Sequence, residues 1–132
     1  MRPSAFLQTK TLLVVSRIAV GLFLMAHGLM RLYVHSLHGF GEFLVSNGFP
    51  YGYALAWCIT LLDIIGGALL VLGIFRTPVC IAFIIELLTG IILVHFKNGW
   101  FVVGHQSGGM EYSVLLIICL LLIASTDKNN NG

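Results

Sequence analysis

Charge is scarce in this 132-residue sequence: seven Lys and Arg and five Asp and Glu make up 9% of it, while 58% is apolar. A soluble domain carries about a quarter charged residues. A chain this short cannot hide so much apolar surface from water, because small domains bury only a modest share of their surface. Part of its solvent is therefore lipid, and the sequence reads as an integral membrane protein. Cysteine is also scarce. Cys58, Cys80 and Cys119 lie far apart in apolar stretches without a C-x-x-C, which argues against a dithiol redox pair, a zinc site or a disulfide framework. No basic run or stacking platform suited to nucleic acid is present. The net charge of +2 says little else about partners.

What the chain has instead is long apolar runs. Four segments, at about 11–33, 53–75, 78–96 and 108–125, predict an all-α, integral membrane four-helix bundle forming a single membrane domain over 1–132. Helices are the default because backbone groups in lipid must pair internally, and no segment alternates as barrel strands do. The fourth run is short against the roughly 17–25 residues a bilayer needs, so it should tilt little or start near Ser107. The first has a basic start, but Arg17 interrupts it and no clear A-x-A site follows. It reads as a retained helix rather than a cleaved signal. Residues 34–52 and 97–109 read as longer loops, "IFRTP" at 74–78 as a tight link, and "STDKNNNG" as a polar tail. Pro78 suits a helix start, where its missing N–H is no loss. Arg2, Lys10, Arg76 and Lys128 on one side outnumber Arg31 and Lys97 on the other, so both termini are expected in the cytoplasm. The outward loops then hold His35, His38, Glu42 and His105, with Tyr51, Tyr53, Trp100 and Phe101 as interfacial anchors. "HSLH" spaces two histidines as a metal pair but offers no clear third ligand.

Ionisable side chains within membrane helices are costly, tend to face the bundle interior and mark function. Five stand out: Arg17, His27 and Arg31 in the first segment, Asp63 in the second and Glu86 in the third. At about 100° per residue, the three basic residues share one stripe with Gly21 and Gly28, where small residues let another helix approach. Asp63 and Glu86 fall near mid-bilayer, so Arg17 is expected to pair with one of them. The carboxyl left over should be protonated or bonded elsewhere. A polar vestibule of His27, Arg31, His95, Asn98 and Glu111 is expected at the outer end. Glu86 and His95, nine residues apart, fall on opposite faces of an ideal helix. Either that helix breaks near its end, or His95 is an interfacial residue. Each polar group also has a plainer role open to it: fixing helix register for Arg17, bonding a carbonyl for His27, snorkelling for Arg31 and Lys97, capping for Glu111.

"RIAVGLFLMAHGLMRL", "AWCITLLDIIGGALLVLGIFRTP", "LVHFKNGWF" and "GGMEYSVLLI", in that order, resemble the DoxX family of small bacterial membrane proteins over about residues 15–125. The resemblance implies a four-helix membrane bundle in the bacterial inner membrane. The family takes its name from a subunit of a quinone-linked oxidase or thiosulfate:quinone oxidoreductase, and some members are linked with membrane redox partners. The family often has Glu where this chain has Asp63. It implies no settled catalytic set. An accessory or quinone-associated subunit of a membrane redox system is the leading expectation, with quinone as the cofactor and a membrane protein or a second copy as partner. No cysteine pattern suits an iron–sulfur cluster, and no convincing pair of buried histidines suits haem. A non-enzymatic scaffold, or a small transporter using Asp63 or Glu86 as a proton-linked site, are the alternatives.

Overall fold

The computed structural model describes residues 4, 8–104 and 107–127. Arg2, His105 and Lys128 lie outside the described residues, as does the end of the polar tail. Among the described residues there are five helices and no strand: α1 (Thr9–Tyr33), α2 (Leu37–Ser46), α3 (Gly52–Leu72), α4 (Arg76–Asn98) and α5 (Glu111–Asp127). Three of them, α1, α3 and α4, are long and apolar enough to cross a membrane. The shorter α5 has 17 residues, which at 1.5 Å each gives about 25 Å.

On α1 the buried residues are Val20, Gly21, Leu24 and Gly28, a spacing that keeps them on one helical face. That face packs on α3, and the contact is close because both sides are small. A Cβ on Gly67 would lie 2.6 Å from the Gly21 carbonyl oxygen, and one on Gly21 would lie 2.7 Å from that of Gly67. The stripe of small residues expected on the first helix is thus the seam between α1 and α3. The apolar core sits where α1, the second half of α3, the first half of α4 and α5 meet, around Leu24, Leu70, Cys80, Phe83, Leu120 and Ile123.

Several boundaries move from the expected ones. Helix α3 stops at Leu72 rather than near 75, because Gly73 turns left-handed at φ +77. The Gly73 N–H then donates to Leu70 O and the Ile74 N–H to Leu69 O, the paired bonds that close a helix end. Helix α4 starts at Arg76 rather than 78, with Pro78 in its first turn, where no backbone N–H is needed. Helix α5 begins at Glu111 rather than 108, because 108–111 pair back on 99–102. Met110 N donates to Gly99 O, Glu111 N to Trp100 O, Gly109 N to Phe101 O and Gly108 N to Val102 O.

Two findings go beyond the expected fold. The 34–52 segment is not simply a loop, since it carries α2. Phe40, Phe43 and Leu44 line its inner face, while His38 and Glu42 meet in the open at 3.2 Å. Neither α3 nor α4 is a regular α-helix throughout. Each holds one π turn, Leu62–Gly66 in α3 and Ile91–His95 in α4. Helices α3 and α4 touch near their tight link and separate toward the α2 end.

Candidate functional site

Where α3 and α4 separate, they leave a cavity of about 510 Å³. Its walls are mostly apolar, with Phe40, Phe43 and Phe49 on the α2 side and Leu24, Ile59, Leu93 and Leu116 among the others. Five of the eight residues singled out from the sequence line it: His27, Arg31, Asp63, Glu86 and His95. Ile85 lines the cavity and is also 60% exposed, and His27 is exposed as well. The cavity is therefore open at the flank of the helices rather than sealed.

Asp63 is the buried anchor, 1% exposed, inside the π turn of α3. Its Oδ2 accepts from Arg31 Nη1 at 3.2 Å, and the same nitrogen donates to Thr60 Oγ1 at 2.9 Å. Thr60, fully buried, passes its own hydrogen back to Ala56 O at 2.8 Å. The Arg31 guanidinium also lies over the Phe40 ring, 4.6 Å from its centroid, a contact that favours a cation. Helix α2 thus covers the ion pair.

The expected pairing of Arg17 with Asp63 or Glu86 is corrected. The residue of α1 that faces Asp63 is Gly28, whose Cβ would come within 2.9 Å of Asp63 Cβ. Arg17 lies eleven positions earlier, about 16 Å down the helix, too far for its side chain to reach. Arg31, one turn beyond Gly28, reaches. Arg17 instead lies against Gly73 at the opposite end, its Nη1 3.0 Å from where a Cβ would stand.

Glu86 lies next to Asp63, carboxyl beside carboxyl. With Asp63 Oδ2 held by Arg31, Asp63 Oδ1 and Glu86 Oε2 are buried oxygens that receive no hydrogen bond from an N–H or hydroxyl group of the protein. His95 reaches the same cavity through the π turn Ile91–His95. Residues in a π turn advance by less than the about 100° of an α-helix, which brings His95 round toward the Glu86 side. His95 Nδ1 then bonds Gly108 O at 2.7 Å. A carbonyl only accepts, so Nδ1 carries the hydrogen.

The expected outer vestibule divides in two. His27, Arg31 and His95 belong to the cavity with the carboxyl pair. Asn98 and Glu111 do not line it; they hold the connecting loop. Asn98 Nδ2 donates to Gly108 O at 3.4 Å, and Glu111 Oε1 accepts the Val102 N–H at 3.0 Å. Of the other loop histidines, His38 stacks on Tyr53 at 5.1 Å between ring centroids. Among the described residues no group of three or more His, Cys, Asp or Glu is placed to hold a metal ion.

Sequence reasoning missed Thr60, Phe40 and Tyr112. The Tyr112 ring lies 6.1 Å from that of His27, tilted by 43°. Its adjacency to Glu111 at a helix start was the available signal. A second, shallower depression of about 420 Å³ lies outside the cavity, lined by His35, His38, Tyr53 and Trp57. Arg31 lines both spaces.

Compared with known proteins, residues 12–96 match the family model described as DoxX. No curated protein and no solved structure matches the chain.

Proposed function

The chain belongs to the DoxX family, and on that premise we propose that it is a quinone-holding accessory subunit of a redox system in the bacterial inner membrane. In this reading α1, α3, α4 and α5 cross the membrane as one four-helix domain with both termini in the cytoplasm. Helix α2 lies at the outer surface over the cavity. The observation that carries the reading is the cavity itself, a polar cluster of His27, Arg31, Asp63, Glu86 and His95 set in apolar walls. Ligand pockets combine these features, at volumes of roughly 300–1,000 Å³.

The residues present fit a quinone. The His27, Arg31 and Tyr112 side chains, which carry N–H and O–H donors, would meet the carbonyl edge of its ring. Phe43, Phe49 and Leu93 would flank its faces and tail. A bound quinone supplies two-electron, two-proton redox chemistry, and the electron carrier belongs to a partner protein. This chain's own work is to hold, orient and partly desolvate the ring. Arg31 keeps the Asp63 charge compensated meanwhile, since an unpaired buried charge is costly. Asn98 and Glu111 position the loop that receives His95. Arg17 serves the packing of α1 on the end of α3.

The test is extraction of the protein, purified in mild detergent, with quinone read by absorbance and mass. Stoichiometric quinone in the wild type, lost in a His27→Ala variant that keeps its helical circular dichroism, is the expected result. A wild type that carries no quinone, and takes up none after incubation with quinone-loaded vesicles, would overturn the reading.

A further inference from the structure

Of the five ionisable side chains singled out within the apolar segments, His27, Arg31, Asp63 and Glu86 line the cavity, and Arg17 does not. Arg17 is half-buried at the other end of the α1–α3 seam. It has no hydrogen bond and no ion pair among the described residues, and its Nε is buried without a partner. A guanidinium left so on an apolar helix lacks the anion that would offset its desolvation. Its guanidinium lies against Gly73, in the link between α3 and α4. Helix α1 starts eight positions before Arg17, at Thr9, so it runs on about 12 Å past that link. Lys10 stands on this projecting part, exposed, and falls within about 20° of Arg17 around the helix. Arg76, the first residue of α4, follows the link directly. Three cations thus stand around the notch under the link, against one acid at that end of the helices, Asp127 at the close of α5. The link itself is apolar: Leu72, Ile74 and Phe75 are all exposed.

We propose that this notch binds the headgroup of an anionic phospholipid, from the leaflet on the side of the termini, with Arg17 on the phosphate. A guanidinium offers a planar fork of N–H donors that matches phosphate oxygens. Lys10 and Arg76 add the positive potential that favours a headgroup of net negative charge. The exposed Leu72 and Phe75 side chains lie beside the acyl chains of such a lipid. A free phosphate ion would meet the same guanidinium but would leave that apolar rim unused. The site is separate from the cavity and does not depend on what the cavity holds.

The experiment titrates delipidated protein in mild detergent with phosphatidylglycerol, phosphatidylethanolamine or inorganic phosphate, and follows adducts by native mass spectrometry. A single phosphatidylglycerol should bind about tenfold tighter than phosphatidylethanolamine, the difference that nearby cations make for a headgroup of net negative charge. Arg17→Gln should weaken that binding about tenfold, as the loss of a hydrogen bond to a charged group does. Arg17→Lys, which keeps the charge but not the fork, should fall between. Lys97→Gln, at the opposite end of α4, should bind as wild type. Equal binding of the two lipids, or lipid binding indifferent to Arg17→Gln, would overturn the proposal. Inorganic phosphate that displaces the lipid at equal concentration would make this a site for the free ion and overturn the lipid assignment. The wild-type comparison of the two lipids with phosphate needs no variant to fold.

Discussion

At the scale of single residues, the cavity depends on one cation and its company. Arg31 is shared by Thr60, Asp63 and the Phe40 ring, and its planar guanidinium serves all three at once, as a lysine ammonium would not. Breaking such a pair costs more than removing it whole, because the survivor is left buried and uncompensated. Asp63→Ala should therefore lower stability by about 3 kcal/mol, and adding Arg31→Met should recover part of that loss. Denaturant unfolding of all three proteins in one detergent checks this. A double variant less stable than Asp63→Ala would show that the pair is not the source of the cost. Which residues would be polar inside the membrane was legible from the sequence, but which would meet was not. Depth along separate helices favoured Arg17, while the partner is decided by where α3 crosses α1. Gly28 marks that crossing, and the cation one turn beyond it was the better choice.

At the scale of elements, helical phase decides what faces the cavity. A uniform α-helix puts Glu86 and His95 on opposite sides, and the π turn Ile91–His95 is what brings them to one wall. The hydrophobic pattern carries no trace of that extra residue, so the conflict was visible but its resolution was not. Deleting Ile92, which is 71% exposed, removes the extra residue, and eight residues at about 100° each keep His95 on the Glu86 wall in an unbroken α-helix. The expected outcome is unchanged helical circular dichroism with bound ligand retained. Lost binding would mean that the π turn itself, and not only the phase it sets, shapes the cavity. The α1–α3 seam gives a second contrast. Gly67→Val places a branched side chain where a Cβ already lies 2.6 Å from backbone oxygen, and it should yield aggregate rather than a single species by size exclusion. Gly39→Ala, with nothing within 4 Å, should behave as wild type. That seam was readable in advance from the glycine spacing. Helix α2 was not, because its glycines in "HGFGEF" resemble turn chemistry while Phe40, Phe43 and Leu44 hold it against α3 and the cavity.

At the scale of the whole molecule, the apolar segments and their order were plain in the sequence, because lipid leaves a chain few alternatives to the helix. Orientation rests on a count of four basic residues against two. It predicts that a membrane-impermeant maleimide labels Asn47→Cys in intact cells and Ile74→Cys only after permeabilisation, in a background with the three native cysteines replaced. The opposite pattern would invert the topology. The open flank of the cavity has a consequence for how any apolar ligand is measured. Such a ligand arrives from the surrounding lipid, so occupancy follows its mole fraction there and not its concentration in buffer. Adding empty vesicles at constant total ligand should then strip the site by dilution within two dimensions, although nothing in the water has changed.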